Sequence, residues 1–384
     1  MNELLWSICI LCLTILILGF ILKRFHQPYL IAYIIAGVIL GPYVTGIFSK
    51  TKEIEIIGHL GILFLMFFLG LEIKIPNKRY MIVKPVIAQS MKILLGCGFA
   101  LLTGYLLDLN FRSIALISIL FFFNSTAVVS ELLRKHDILN TTFGSTIFNV
   151  LLLQDILLAP VLTLLRVWSG EQFTLLNFIL PIVMCISIYF LLKRIRNVQE
   201  IRLPKLFKIV ENDHDLQLFM GLLICLGFGL LAEVVGLSSA LGSFVAGIIV
   251  GRFKIFNWLE HSLTYFKVFF VTLFFVSIGL QLDLAYFFEH FQIIFLGTIF
   301  VLLSNSLISA IIFRLLKFDW KSSWYGGALL SQTGEFGILA LTIAYKGGII
   351  GFELYKAGLG ITCMTLLFST IWIGILKKLY INHF

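Results

Sequence analysis

The sequence is poor in charged residues. Asp, Glu, Lys and Arg make up 13% of its 384 residues, whereas hydrophobic residues make up 60%. With a mean hydropathy of +1.03, this composition excludes a soluble globular domain and indicates a polytopic membrane protein.

Cysteines and clustered reactive side chains are also scarce. The six cysteines all fall in apolar segments, and the CxxC of Cys9 and Cys12 has no second pair and no histidine cluster beside it. This favours two small core residues over a metal or redox site. An intramembrane enzyme would need a nucleophile–base pair or a metal-ligand set, and neither is apparent. The sequence therefore predicts neither an enzyme nor a cofactor.

Long apolar runs fill most of the chain. A helix needs about 20 apolar residues to cross the bilayer, so we expect an all-α polytopic membrane protein. The sequence predicts thirteen spans, at 4–22, 28–47, 54–72, 85–107, 112–133, 143–165, 174–192, 216–233, 236–251, 264–281, 289–313, 322–344 and 354–376.

The net charge of +9 is explained by topology rather than by a nucleic-acid partner. Alternate loops hold 22 of the 29 Lys and Arg residues, the opposite loops hold six, and Lys92 falls inside span 4. The positive-inside rule then predicts a cell-membrane protein with its N-terminus outside and its C-terminus in the cytoplasm. Lys92 lies about two turns into its span, so we expect its long side chain to extend to the membrane surface.

Three short motifs recur at a nearly constant offset. "AGVILG" at 36–41 returns as "AGIIVG" 210 residues later, "FLGLEI" at 68–73 as "SIGLQL" 209 later, and "NST" at 124–126 as "SQT" 207 later. The offset maps span 1 onto span 8, and because seven is odd the second copy must be inverted. Inverted repeats are typical of secondary transporters, whose sites lie at the midplane between the copies.

The repeat predicts the organisation of the chain. We expect the first repeat and a linker span in 1–192, a basic cytoplasmic linker in 193–215, and the inverted second repeat in 216–384.

Spans 5 and 12 are equivalent in the repeat, and each carries a polar cluster near mid-depth. Consecutive hydrogen-bonding side chains compete with the helix ladder, and unwound backbone in a membrane must be covered by protein or water. One such cluster alone would favour simple helix–helix association. The symmetric pair favours two broken helices that face each other and hold an ion. The clusters are Asn124, Ser125 and Thr126, and Ser331, Gln332, Thr333, Gly334 and Glu335.

Span 6 carries a carboxylate in an otherwise apolar stretch, Asp155 beside Gln154 in "FNVLLLQDILLAPVLTLL" at 148–165. Asp155 lies about eleven residues, or roughly 16 Å, into its span and so near the bilayer midplane. A charge there costs at least about 2.5–3.5 kcal/mol. We therefore expect Asp155 to hold either a proton or a metal cation, which is the basis of antiport. The alternative is a structural carboxyl kept neutral by hydrogen bonds.

Six stretches occur in the order found in a known superfamily: "YIIAGVILGP" at 33–42, "STAVVSELL" at 125–133, "LLLQDILLAP" at 151–160, "LSSALGSFVAGIIVG" at 237–251, "FFVSIGLQLD" at 274–283 and "LLSQTGEFGILAL" at 329–341. On these motifs the chain resembles the monovalent cation/proton antiporter superfamily, in the branch of the Kef-type potassium/proton antiporters. The resemblance covers nearly the whole chain. It implies a crossed-helix fold with core and dimerisation domains, alternating access by movement of the core, and a homodimer in the lipid bilayer.

The sequence departs from that family in the residues near its site. Sodium-selective relatives carry Asp-Asp or Asn-Asp where this chain has Gln154-Asp155, and many have a lysine where this chain has Asn305. A site with one negative charge favours K⁺ over Na⁺. Glu335 is expected to close a half-helix rather than to carry an ion; the alternative is that it lines the cavity and titrates in the same cycle.

Two other functions and one partner stay open at this point. A gated cation channel would need a continuous polar pore, and a sodium-coupled solute symporter could use the same broad fold. Kef-type proteins usually continue into a cytosolic nucleotide-binding domain, so the resemblance also implies a regulatory domain or subunit outside this sequence.

Overall fold

The computed structural model describes residues 2–24, 29–48, 51–72, 80–106, 108–170, 213–234, 239–251 and 264–380, with the single positions 179 and 183. Nearly all of predicted span 7 and of the predicted basic linker lies outside the described residues.

Within the described ranges the regular structure consists of fifteen helices. They are α1 (Asn2–Arg24), α2 (Tyr29–Leu40), α3 (Thr51–Glu72), α4 (Tyr80–Leu106), α5 (Phe111–Phe122), α6 (Thr126–Lys135), α7 (Thr142–Trp168), α8 (His214–Val234), α9 (Ser239–Val250), α10 (Thr264–Leu280), α11 (Leu284–Glu289), α12 (Phe291–Leu315), α13 (Trp320–Leu329), α14 (Glu335–Lys346) and α15 (Phe352–Tyr380). Five of them, α1, α4, α8, α12 and α15, are long and apolar enough to cross a membrane.

Each predicted span within the described ranges coincides with one helix or with a pair of helices. The pairs occur at spans 5 and 12, where α5 is followed by α6 and α13 by α14. The two interruptions fall at residues 123–125 and 330–334. The expected breaks are therefore present, and each contains part of its polar cluster.

The helices pack in two groups. The scaffold group consists of α1, α2, α3, α8, α9 and α10, in which α3 packs closely against both α9 and α10. The core group consists of α4 to α7 and α12 to α15, in which α12 packs against α13 and α4 against α5. Close backbone approaches between the groups are few and involve α3 with α6 and α7 with α9, while the short α11 contacts α12 and α15. Side chains of the two groups nevertheless share one buried apolar cluster, in which Phe148 of α7 lies against Phe244 of α9.

Paired glycines allow the scaffold helices to approach at backbone distance. A Cβ built on Gly37 of α2 would lie 3.0 Å from the Cα of Gly279 in α10. One built on Gly70 of α3 would lie 2.9 Å from the Cα of Gly247 in α9. Small residues at such positions let membrane helices gain close packing that larger side chains would prevent.

Helix α1 contacts α2 and presents much of its remaining surface outward, including Leu13 and Phe20. Cys9 and Cys12 are exposed on this helix as free thiols. The prediction that they are core residues is therefore wrong, because an apolar helix at the edge of a membrane protein can expose its apolar side chains to lipid.

Candidate functional site

The two helix breaks lie in direct contact, and we call this contact of residues 123–125 with residues 330–334 the crossing. The side-chain amide nitrogen of Asn124 donates to the backbone carbonyls of Leu330, at 3.0 Å, and Gln332, at 2.7 Å. In return, the backbone N–H of Gly334 donates to the carbonyl of Phe123 at 3.4 Å. The backbone groups that each break frees are thus partly satisfied by the other break.

Local contacts explain where α6 and α14, the helices that follow the two breaks, begin. The Ser125 hydroxyl oxygen accepts from the backbone N–H of Val128 and caps α6. Gly334 precedes α14 without a side-chain cap, and a Cβ on it would lie 2.5 Å from the backbone nitrogen of Ser125. Glycine is therefore required there by the close approach of the two breaks. The backbone N–H of Thr333 donates to the hydroxyl of Thr365 on α15 at 3.3 Å.

The crossing brings four helix ends to one place. The carboxyl ends of α5 and α13 and the amino ends of α6 and α14 all meet there. Carboxyl ends carry partial negative charge and favour a cation, and amino ends carry partial positive charge and favour an anion. The arrangement therefore suits a bound cation together with a carboxylate.

Helix α7 supplies the predicted pair of side chains. Asp155 is 1% exposed, and its Oδ1 accepts from the hydroxyl of Thr126, the first residue of α6, at 3.1 Å. Gln154 is fully buried, and its Oε1 accepts from the backbone N–H of Asn124 at 2.9 Å. The Gln154 amide nitrogen donates to Gln89 Oε1 at 3.0 Å and to Asn124 Oδ1 at 3.3 Å. The structure thus brings Gln154 and Asp155 to the first break.

Lys92 of α4 reaches the same break, which corrects the sequence-based expectation. The residue is 2% exposed, and its ammonium donates to Asn124 Oδ1. It does not extend to the membrane surface, because α4 packs against both α5 and α7 and turns Lys92 into the core group. A signal was present in the sequence: Gln89 and Lys92 are three residues apart and so share one helix face.

The second cluster is less uniformly placed. Ser331 and Gln332 are fully buried, and the Ser331 hydroxyl lies 3.5 Å from Gln332 Oε1. Glu335 is the first residue of α14, and its side chain lies outside the described part of the structure. Asn305 is buried on α12, and its amide atoms find no hydrogen-bond partner among the described residues. No hydrogen bond therefore joins the Asn305 side chain to the crossing in that part of the chain.

Across the described residues, no three His, Cys, Asp or Glu side chains gather in a way that could hold a metal. A cation at the crossing would instead meet one carboxylate, amide and hydroxyl side chains, and backbone carbonyls. Hard oxygen ligands of this kind suit cations such as Na⁺ and K⁺ better than soft thiolate and imidazole sets do.

Residues 10–378 match the family described as the sodium/hydrogen exchanger, transmembrane. The chain belongs to this family. The resemblance seen in the sequence motifs is therefore confirmed, and the sodium/hydrogen exchanger family consists of multi-pass membrane transporters, not enzymes.

Three curated relatives cover most of this exchanger-family chain. The iron transporter MagA of Paramagnetospirillum magneticum is 25% identical over 97% of this chain and 85% of that protein. The K(+) efflux antiporter 5 of Arabidopsis thaliana is 26% identical over 91% of this chain and 62% of that protein. The Na(+)/H(+) antiporter of Enterococcus hirae is 27% identical over 99% of this chain and 100% of its own length.

A solved structure supports the fold. The sodium proton antiporter MjNhaP1 from Methanocaldococcus jannaschii, at pH 8, superimposes with a TM-score of 0.69 at 17% sequence identity. The match covers 99% of this chain and all of that one. The exchanger-family chain therefore has the all-helical antiporter fold.

Proposed function

We propose that this exchanger-family protein carries a monovalent cation in exchange for a proton through the crossing, with Asp155 holding either one. The burial of Asp155 beside the first break carries the proposal. An ionised carboxylate at 1% exposure is stable only if its charge is balanced, and a proton or a cation each balances it. One carboxylate that is exposed alternately to the two sides then couples the two fluxes.

The proposal includes alternating access by movement of the core group against the scaffold group. Its support is that close backbone approaches are few between the groups and many within each group. The groups share an apolar side-chain cluster, and helices that are joined mainly by side-chain packing can slide past one another in a shear movement. The crossing lies wholly within the core group, so it would move as one body with Asp155.

We further propose an inverted repeat and about thirteen spans. The glycine pairs support the repeat, because the partners of one pair map onto the other. Gly37 corresponds to Gly247, 210 residues later, and Gly70 to Gly279, 209 later. The contact between Gly37 and Gly279 thus has an equivalent in the contact of Gly247 with Gly70, as a two-fold axis in the membrane plane requires. The outside N-terminus, the homodimer and the regulatory partner stay predictions.

For the transported ion we propose K⁺ over Na⁺. Gln154 contributes no charge, so a cation would meet Asp155 and neutral oxygens. A weaker field removes less of the hydration shell and favours the larger, less tightly hydrated ion. The relatives include both a potassium efflux antiporter and a sodium/proton antiporter, so the argument for K⁺ rests on the site.

The test is exchange in proteoliposomes with an internal pH indicator and external lithium, sodium, potassium or rubidium. We expect cation-driven proton efflux with potassium preferred, and a fall to the level of protein-free liposomes for Asp155→Asn. Asp215→Asn, an exposed carboxylate on α8, is the control and should retain exchange. Exchange that persists in Asp155→Asn would remove this carboxylate from the mechanism. Sodium-dependent uptake of an organic anion without cation/proton exchange would instead indicate a symporter.

A further inference from the structure

The ammonium of Lys92 is bonded to an oxygen that a cation at the crossing would need. Lys92 donates to Asn124 Oδ1, which also accepts from the amide of Gln154 at 3.3 Å. The amide nitrogen of Asn124 already donates hydrogen bonds to the carbonyls of Leu330 and Gln332 in the second break. Oδ1 is therefore the part of the Asn124 side chain that can face a cation, and a positive group already occupies it.

The side chains that hydrogen-bond around this ammonium are neutral amides. Gln89 lies one turn before Lys92 and is 1% exposed, and Gln154 bridges Gln89 to Asn124. Amide oxygens stabilise a positive group without cancelling its charge. The first break thus offers oxygen ligands that suit a monovalent cation. The cationic group bound there is the ammonium of Lys92, which is covalently part of the protein.

We propose that Lys92 is a tethered competitor of the transported cation, and that its ammonium takes the amide-oxygen position at the first break whenever the cation is absent. This inference rests on the proposed function, since it concerns the loading of the same crossing. An ammonium group carries the same single charge as K⁺, and both seek oxygen ligands. Lys92 is therefore a specificity-determining and positioning residue for cation loading.

Electrostatics dictate what cation loading must do to Lys92. Two positive charges in a dry, low-dielectric interior repel each other far more strongly than in water. A cation therefore binds well only after the ammonium withdraws from Asn124 Oδ1 or gives up its proton to water. In both cases the competitor raises the cation concentration needed for half-maximal exchange. Because protonated Lys92 is the competing form, its effect is strongest at low pH. It adds to the proton competition at Asp155 on the neighbouring α7, which Lys92→Met leaves in place.

A purely structural role for Lys92 makes a different prediction. If its ammonium only held α4 against the break, its removal would loosen the crossing and weaken cation binding. Loss of the ammonium does not leave Asn124 Oδ1 without a hydrogen bond, because this oxygen still accepts from the amide of Gln154. Lys92→Met is thus expected to fold, and the direction of its effect on cation affinity distinguishes the two roles.

The experiment compares wild type, Lys92→Met and Lys84→Met in proteoliposomes, using the alkali cation that wild type exchanges best. The half-saturating cation concentration and the maximal rate are measured at several pH values. Lys84 is the matched control, since it is the other lysine of α4 and its ammonium lies over the ring of Phe318 at 4.3 Å, away from the crossing. We expect Lys92→Met to lower the half-saturating concentration about tenfold and to weaken its pH dependence, with Lys84→Met unchanged.

An unchanged or increased half-saturating concentration in Lys92→Met would overturn the inference. If Lys92→Met fails to fold, Lys92→Arg keeps a positive group that does not lose its proton. It should then require at least as much cation as wild type at every pH, and a lower requirement would overturn the inference. Failure of the proposed function is distinguishable, because it appears as absent exchange in wild type or retained exchange in Asp155→Asn.

Discussion

The side-chain nitrogen of Asn124 lies 2.7 Å from the carbonyl oxygen of Gln332, 208 residues along the chain. This hydrogen bond, with its companion to Leu330, joins the two broken helices through a single amide. A broken helix in a membrane is stable only if its freed carbonyls are satisfied. The two breaks therefore stabilise each other, with further hydrogen bonds from Gln154 to the first break and from Thr365 to the second.

Removal of this amide should destabilise the whole core group. Asn124→Ala leaves the carbonyls of Leu330 and Gln332 without their donor, and each buried unsatisfied group costs about 1–3 kcal/mol. We expect a loss of at least about 2 kcal/mol, seen as a lower melting temperature of the purified protein in detergent. Ser118→Ala is the control, because that hydroxyl donates to Ile114 within its own helix, α5. Equal melting temperatures for the two variants would contradict the account.

A second negative charge at the first break should change the ion preference. Gln154→Asp adds a carboxylate beside Asp155, and a stronger field favours the smaller, more tightly hydrated ion. We expect the ratio of half-saturating sodium to potassium concentrations to fall relative to wild type in proteoliposome exchange. Gln154→Asn has the size of aspartate without its charge and should keep the wild-type order. A shift of equal size in Gln154→Asn would assign the effect to geometry instead of charge.

Apolar runs and polar interruptions were sufficient to predict most of the helices and both breaks. Spans 5 and 12 were predicted to break because Asn124 to Thr126 and Ser331 to Glu335 interrupt runs long enough to cross a membrane. Such patterns are local, so a single sequence reveals them. They state which residues leave the helix, but not which residues those breaks will contact.

The placement of Lys92 could not be derived in this way. A lysine two turns inside an apolar span is compatible with extension to the surface and with burial, since hydropathy is the same for both. The outcome depends on which face of α4 packs against α5 and α7, a tertiary relationship between segments far apart in sequence. The repeated motifs likewise contain Gly37, Gly70, Gly247 and Gly279, but they do not indicate that these glycines meet in pairs.

The glycine pairs should tolerate no side chain. A Cβ on Gly70 would lie 2.3 Å from the backbone oxygen of Phe244, and backbone cannot move aside as a flexible side chain can. We expect Gly70→Ala to cost about 1–3 kcal/mol and to lower the melting temperature. Gly98→Ala and Gly227→Ala are controls, because nothing lies within 4 Å of a Cβ at either position. A melting temperature of Gly70→Ala as high as that of the controls would contradict the close contact.

An ion pair joins the end of the scaffold group to the core group. The ammonium of Lys356 on α15 lies 3.1 Å from Asp283 Oδ2, and it also donates to the hydroxyl of Tyr43 at 3.4 Å. Asp283 follows α10, and Tyr43 follows α2. The proposed movement of the core group against the scaffold group should therefore break this pair in one of its two access states.

Asp283→Asn isolates the charge of this pair. Asp283 caps α11 by accepting from the backbone N–H of Tyr286, and asparagine caps a helix about as well as aspartate. We expect Asp283→Asn and Lys356→Met each to change the maximal exchange rate in the same direction, because each weakens the same access state. The double variant should match Lys356→Met, which also loses the bond to Tyr43, since the ion pair can be lost only once.

The half-saturating cation concentration provides the second criterion. Neither Asp283 nor Lys356 contacts the crossing. In their variants the cation affinity should therefore change only as far as the populations of the two access states change. The exchanged pair, Asp283→Lys with Lys356→Asp, should recover part of the wild-type rate, because opposite charges again face each other. If the effects of the single variants add in the double variant, the two side chains act independently. The ion pair would then have no part in access, and the apolar cluster shared by the two groups, including the contact of Phe148 on α7 with Phe244 on α9, would be the next candidate for closing the path.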